Sequence, residues 1–131
     1  MGSDADTSPS SEPPRSFAEL RRRYERGERD FRGCELDTEP TGDLSGLCLD
    51  DADFSQSCFY ASFRGASLRN ARFVEANVKI CDFRDADLTN ADFRGAALCA
   101  TEFTGAILAS ARFGGAHCYG HTFSDDEKPI Q

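Results

Sequence analysis

"DADLTNADFRGAAL", residues 85–98, places alanine at 86, 91 and 96 and a large apolar residue at 88, 93 and 98. A helix returns to one face after about 3.6 residues and a strand after 2, so a period of five belongs to neither. With the large residue as the centre of each unit, the centres run Leu44, Leu49, Phe54 and Phe59, then Phe63, Leu68, Phe73, Val78, Phe83, Leu88, Phe93, Leu98, Phe103, Leu108, Phe113, Cys118 and Phe123. The residue two places before a centre is small: Ala61, Ala66, Ala71, Ala76, Cys81, Ala86, Ala91, Ala96, Ala106, Ala111 and Ala116. One residue is missing between Phe59 and Phe63. That slip reads as a tightened corner or a bulge, and Cys58 is an alternative centre there.

A second period lies inside the first. Phe63, Phe83, Phe103 and Phe123 form one series, Leu68, Leu88 and Leu108 another, and Phe73, Phe93 and Phe113 a third. The places where alanine is replaced, Cys81, Thr101 and His121, all fall in the Phe63 series, which puts His121 at an inward place. A chain that meets the same environment every fourth unit is a coil with four sides. Three extended residues direct their first and third side chains to one face, and the other two turn a corner. Gly65, Gly95, Gly105, Gly115 and Gly120, with Asn70 and Asn90, stand second after a centre, where a turn takes positive φ. The expected fold is an all-β solenoid, a quadrilateral parallel β-helix of about four coils, on the order of 20 Å tall at the spacing of paired strands.

Outside this array the composition changes. Residues 1–15 are rich in Ser, Pro and acid and read as a disordered tail. Ser16 stands three residues before Glu19, a capping box, and Phe17, Leu20 and Tyr24 share a helical face. Residues 16–30 are therefore expected to form a short amphipathic cap, helical over 17–26, whose Arg21, Arg22, Arg23 and Arg26 read as a solvated face balanced by Glu19, Glu25 and Glu28 rather than as an anion or membrane patch. The β-helix is expected over 31–123 and a flexible acidic tail over 124–131.

The net charge of −8 is uneven: residues 1–53 carry 14 acids and 7 bases, residues 54–123 carry 6 and 7, and the last eight carry 3 and 1. Glu35, Asp37, Glu39, Asp43, Asp50, Asp51 and Asp53 have no base among them and form either a docking patch for a basic partner or an ordinary solvated surface. From Gly95 to Phe123 only Glu102 and Arg112 are charged, while Ala97, Cys99, Ile107 and Tyr119 take outward places. An open strand edge needs a cover, so this end meets a second copy or another protein, or the short tail folds back over it.

No apolar run approaches the roughly 18 residues of a membrane span, and the N-terminus lacks the layout of a secretory signal, which places the protein in the cytoplasm and away from membranes. The six cysteines form no C-x-x-C pair and have no histidine at zinc-finger spacing. They read as buried, reduced apolar side chains, with a disulfide or redox role as the alternative, and with no metal or cofactor. His117 and His121 lack any nucleophile-elbow motif, and no phosphate-binding glycine motif is present, so no enzyme is expected. The negative charge argues against direct nucleic-acid binding.

The units A-D-L-T-N, A-D-F-R-G and A-S-L-R-N resemble the A-D/N-L-x-x units of the pentapeptide-repeat family over about residues 42–123. The stretch YERGERDFRGCEL, residues 24–36, resembles the lead-in that many members use. The resemblance implies a right-handed quadrilateral β-helix with a capping N-terminal segment. It also implies two roles. One is a rigid protein-interaction module or adaptor; the other is a DNA mimic that binds a type II topoisomerase such as gyrase, inhibiting it or protecting it from quinolones or toxins. A mimic needs an acidic rod, whereas this array carries Arg64, Arg69, Arg72, Arg84, Arg94 and Arg112, and the adaptor is the preferred reading.

Overall fold

The computed structural model describes residues 12–36 and 42–129. Residues 1–11 of the expected tail, Asp37 and Glu39 of the acidic set, and residues 130–131 lie outside the described residues.

Ser16 caps helix α1 (Phe17–Glu25): its Oγ accepts the Glu19 amide at 3.0 Å, and Glu19 Oε1 accepts the Arg15 amide at 3.1 Å. The Glu19 amide, a first-turn donor that the helix cannot satisfy, is thereby paired. Phe17 and Leu20 are buried in the core cluster, and the Tyr24 hydroxyl donates to the Asp50 carbonyl at 2.9 Å. The helix thus covers the N-terminal end of the coil. Arg23 departs from the solvated face expected of it. It is buried, donating to the Glu12 carbonyl at 2.6 Å and to the Glu19 carboxylate, because the segment before the helix packs back across it.

Beyond α1 the chain is a parallel β-helix built mostly from single bridges. Within a unit, the Ala91 amide donates back to the Leu88 carbonyl at 2.9 Å, closing a turn in which Asn90 has φ +63°. Between coils, the Leu88 amide donates to the Ile107 carbonyl at 2.8 Å, and the Ile107 amide to the Ala86 carbonyl at 2.9 Å. Each coil therefore satisfies the backbone of the one before it without a long strand.

Named strands occur where the period breaks. β1 (Glu35–Leu36) pairs in parallel with β3 (Cys58–Phe59), and β2 (Gly42–Asp43) with β4 (Ala61–Ser62). Only Tyr60 separates β3 from β4, so the slip is a tightened corner. Cys58 sits at an outward bridge position opposite Asn77, and Phe59 is the backbone partner of Leu36. Bridges spanning this corner are nineteen residues apart, as in Asp53 with Arg72, and those after it twenty, as in Ser67 with Asp87. Asp30 meets Asp53, twenty-three on, because the chain between Leu36 and Leu44 is longer.

The inward side chains fill the coil. Phe63, Leu68, Phe73, Val78, Phe83, Leu88, Phe93, Leu98, Phe103, Leu108 and Phe113 are buried, as are Ala61, Ala66, Ala71, Ala76, Cys81, Ala86, Ala91, Ala96, Ala106, Ala111 and Ala116. Phe63, Phe83 and Phe103 stack at centroid distances of 4.9 and 5.4 Å, and Phe73, Phe93 and Phe113 at 4.7 and 5.0 Å. The two columns meet edge to face, at 5.5 Å for Phe83 with Phe93. Both geometries suit the ring quadrupole.

The last coil ends otherwise than the period predicts. Tyr119 and Gly120 have φ +49° and +81°, the two positive values of a type I′ hairpin turn. The chain reverses, and β5 (His117–Cys118) pairs antiparallel with β6 (His121–Thr122). Phe123 is therefore not a fourth level of the Phe63 column. It is half-buried and lies 6.3 Å from Phe113 at a tilt of 39°. His121, expected inward, is exposed and meets Glu127 at 3.1 Å.

Candidate functional site

A coil whose interior is filled with side chains leaves its faces and ends for recognition. The bridges assign each outward residue to a face. One face carries Asp30, Asp53, Arg72, Asp92 and Arg112; the next carries Glu35, Cys58, Asn77, Ala97 and His117; the third Ser62, Asp82 and Glu102, with Asp43 beside Ser62; the fourth Cys48, Ser67, Asp87 and Ile107.

The acidic residues are consequently spread around the first coils. Glu35, Asp43 and Asp53 lie on three different faces, and Asp50 and Asp51 follow Cys48 on the fourth. Several have local work. Asp50 Oδ1 accepts from Ser67 Oγ at 2.6 Å and from the Arg69 amide at 2.9 Å. Asp51 accepts from Asn70 Nδ2 at 3.1 Å, Asp43 from the Ser45 amide at 3.0 Å, and Asp53 from the Ser55 amide at 3.0 Å. The signal was in the sequence: residues whose spacing is not near a multiple of twenty cannot share a column.

Acids further along are held by arginines two residues on. Arg94 forks onto Asp92, with Nε at 2.9 Å and Nη2 at 2.8 Å, and Arg84 does the same to Asp82, at 3.0 and 2.8 Å. Near the helix, Arg32 forks onto Asp30. Burial pushes the Asp92 carboxyl up, but the Arg94 fork and amide outweigh it and hold the carboxyl below the usual aspartate range. For Asp82 the Arg84 hydrogen bonds lead, with the same direction. The Asp82 and Asp92 carboxylates are thus paired within the rod.

Exposed apolar side chains mark two places. Tyr60 and Ile80 border an open groove of about 690 Å³ beside β2 and β4, with Asp43, Arg64 and Asp82 on its walls. At the C-terminal end Tyr119 is 87% exposed at the tip of the hairpin. Cys99 lies beside it, its sulfur accepting the Tyr119 amide at 3.3 Å, and Ala97 is on the same face. Ile107, 51% exposed, lies on the opposite face, so the four residues expected to form one surface divide three and one.

The end of the rod is partly closed. The Phe123 amide donates to the Ala116 carbonyl at 2.7 Å, and the Gly115 amide to the Phe123 carbonyl at 2.9 Å. Ser124 and His121 bind Glu127, and Asp125 lies against Gly114. On the other sides the amides of Phe103, Leu108 and Phe113, which in earlier coils donate to the next level, have no backbone acceptor among the described residues. The sequence places an open strand edge at this end; which amides it leaves without a partner was not visible in the side-chain pattern.

Among the described residues no cluster of His, Cys, Asp and Glu could hold a metal ion, and no helix is long and apolar enough to cross a membrane.

A family model, pentapeptide repeats, matches residues 81–117 in 8 copies. The solved structure of alr5209, a pentapeptide repeat protein from Nostoc Pcc 7120, is 30% identical over 89% of this chain and 93% of that one, with a TM-score of 0.49. QnrB1, a plasmid-mediated fluoroquinolone resistance protein, is 21% identical; the match covers 66% of this chain and 52% of that one, with a TM-score of 0.54. At that identity the likeness shows the fold alone, a right-handed β-helix. No curated protein sequence matches the chain.

Proposed function

We propose that this chain, which belongs to the pentapeptide-repeat family, works as a rigid, non-enzymatic protein-interaction module that docks through its C-terminal end. The observation that carries this reading is the open end of the rod, with the Phe103, Leu108 and Phe113 amides on three faces and the 87%-exposed Tyr119 at the remaining one. An edge of unpaired amides accepts another strand, and an exposed aromatic anchors an interface. A second copy of the chain is the partner to test first. The rod of about four coils, which ends at the Tyr119–Gly120 turn, serves as the spacer, and the segment over 16–30 closes its other end.

Sedimentation equilibrium tests the reading. The wild-type chain is expected to associate beyond 14.4 kDa in a concentration-dependent way, and Tyr119→Glu to remain at that mass. A wild-type monomer at every concentration overturns self-association as the role of this end.

The competing reading, a DNA mimic acting on a type II topoisomerase such as gyrase, draws support from the likeness to QnrB1, whose name states fluoroquinolone resistance. Against it, the forks on Asp82 and Asp92 pair the carboxylates a mimic would present as phosphates. Gyrase supercoiling, with and without a quinolone, is expected to be unchanged by a large excess of the protein. Inhibition or protection would favour the mimic.

A further inference from the structure

Burial in the core accounts for two of the six cysteines, Cys34 and Cys81. Burial pushes the Cys34 and Cys81 thiols up to about 12, so neither is reactive at neutral pH. Cys48 is exposed, with its sulfur 3.9 Å from Tyr24 Oη. Cys58, Cys99 and Cys118 are all half-exposed; Cys58 stands opposite Asn77, whereas Cys99 and Cys118 lie one coil apart. The Leu98 amide donates to the His117 carbonyl at 3.0 Å and Ala97 bridges His117, which makes Cys99 and Cys118 diagonal neighbours across the ladder. With strands about 4.8 Å apart and successive Cα atoms 3.8 Å apart, that diagonal is about 6 Å, within the span a disulfide bridges. The Tyr119 amide, donating to Cys99 Sγ at 3.3 Å, holds that sulfur over the peptide that leaves Cys118.

We propose that Cys99 and Cys118 are a redox site, closed to a disulfide by the disulfides of low-molecular-weight thiols, which ties the terminal hairpin to the body of the rod.

The exchange balances in two steps. The Cys99 thiolate, its proton given to solvent, attacks one sulfur of the small disulfide. The old S–S bond breaks, one small thiolate leaves and takes up a proton, and Cys99 carries the other half as a mixed disulfide. The Cys118 thiolate, deprotonated to solvent, then attacks Cys99 Sγ, forming the protein S–S bond and expelling the second small thiolate, which is protonated. Two protein thiols are oxidised and one small disulfide is reduced to two thiols. The roles follow from the contact between them: the hydrogen bond to Cys99 holds the Cys118 thiol above its ordinary range, and capping Cys99 removes it.

The bond would join the regular coil to β5, whose partner β6 carries the chain to Phe123 and the tail. It would restrain the Tyr119–Gly120 turn. The inference goes beyond the docking role and holds whether or not this end binds a partner.

The test is to equilibrate the reduced full chain in glutathione buffers of rising oxidised fraction, alkylate the remaining thiols and map the peptides without reduction. Trypsin cleaves at Arg112, between the two cysteines, so a linked pair of peptides reports the bond directly. The expected result is a Cys99–Cys118 link with the loss of two hydrogens in intact mass. Amide exchange at Phe123 and Gly115 should be slower by about tenfold in the oxidised form. Cys118→Ala should instead accumulate glutathione on Cys99. Stable glutathione adducts at Cys99 or Cys118 of the wild type without a link, or reaction at Cys48 alone, overturns the proposal.

Discussion

Phe83 and Phe123 were one repeating series in the sequence, yet the fold gives them different surroundings, and truncating each to alanine should separate the two environments. Phe83 is fully buried. Its ring stacks between Phe63 at 4.9 Å and Phe103 at 5.4 Å and meets Phe73 and Phe93 edge-on, both at 5.5 Å. Removing a core phenylalanine costs about 3–5 kcal/mol, the cavity included, and four ring partners place Phe83→Ala in the upper half of that range. Phe123 is half-buried, with Phe113 at 6.3 Å and His121 at 5.0 Å as its ring neighbours. Half the burial of a side chain worth roughly 1.5–3 kcal/mol, with no closed cavity left behind, gives about 0.75–1.5 kcal/mol for Phe123→Ala. Urea unfolding followed by circular dichroism measures both. Phe83→Leu, expected to cost less than about 2 kcal/mol because most of the volume is kept, supplies a folded comparison should the alanine variant not fold. Equal losses at positions 83 and 123 would refute the distinction between a continuous column and a reversed end.

Ile80 has φ +67° at a corner and is 58% exposed; a β-branched residue is strained there. Ile80→Asn should raise stability by about 1 kcal/mol, read as a higher urea midpoint. Gly42 lies directly under the Phe17 ring, so that a Cβ there would clash with it; Gly42→Ala should cost about 1–3 kcal/mol through overpacking, and limited proteolysis should show α1 detached. Asp92 is 8% exposed and its carboxyl is held low. A depressed carboxylate contributes stability that is complete above its unfolded value of about 3.9 and is lost as pH falls through the lower folded value. Melting temperature should therefore drop on acidification below about pH 4, and Asp92→Asn should flatten that drop.

The legible part of the fold was its size code. Ala91 and Phe93 could be assigned inward because four converging walls admit only a small residue followed by a large one, and a chain repeating that pair every five residues has few other ways to bury it. Corners were legible where Gly65 or Asn70 stands, since those residues accept positive φ. They were silent at Glu75 and Ile80, which take φ +58° and +67° only because the coils above and below impose it. Phe31 and Cys34 are fully buried, but the longer chain after Leu36 breaks the period that would have announced them. The burial of Arg23 depends on the Glu12 carbonyl, a contact that no helical pattern encodes.

The site was less legible than the core. The distribution of Glu35, Asp43, Asp50 and Asp53 over four faces follows from the twenty-residue coil, but the arginine forks on Asp82 and Asp92 depend on side-chain conformation. The hairpin was hidden because a glycine second after a centre serves a corner and a type I′ turn equally well. What distinguishes them is the left-handed Tyr119 before it, and a tyrosine carries no signal for that.

Amide hydrogen exchange at Phe103, Leu108 and Phe113, measured over a range of protein concentrations, tests the docking role of the C-terminal end most directly. If a second copy adds to that edge, protection at these amides rises with concentration, while protection at the already paired Phe83, Leu88 and Phe93 amides stays constant. Exchange at the three edge amides that remains fast at every concentration would contradict the account.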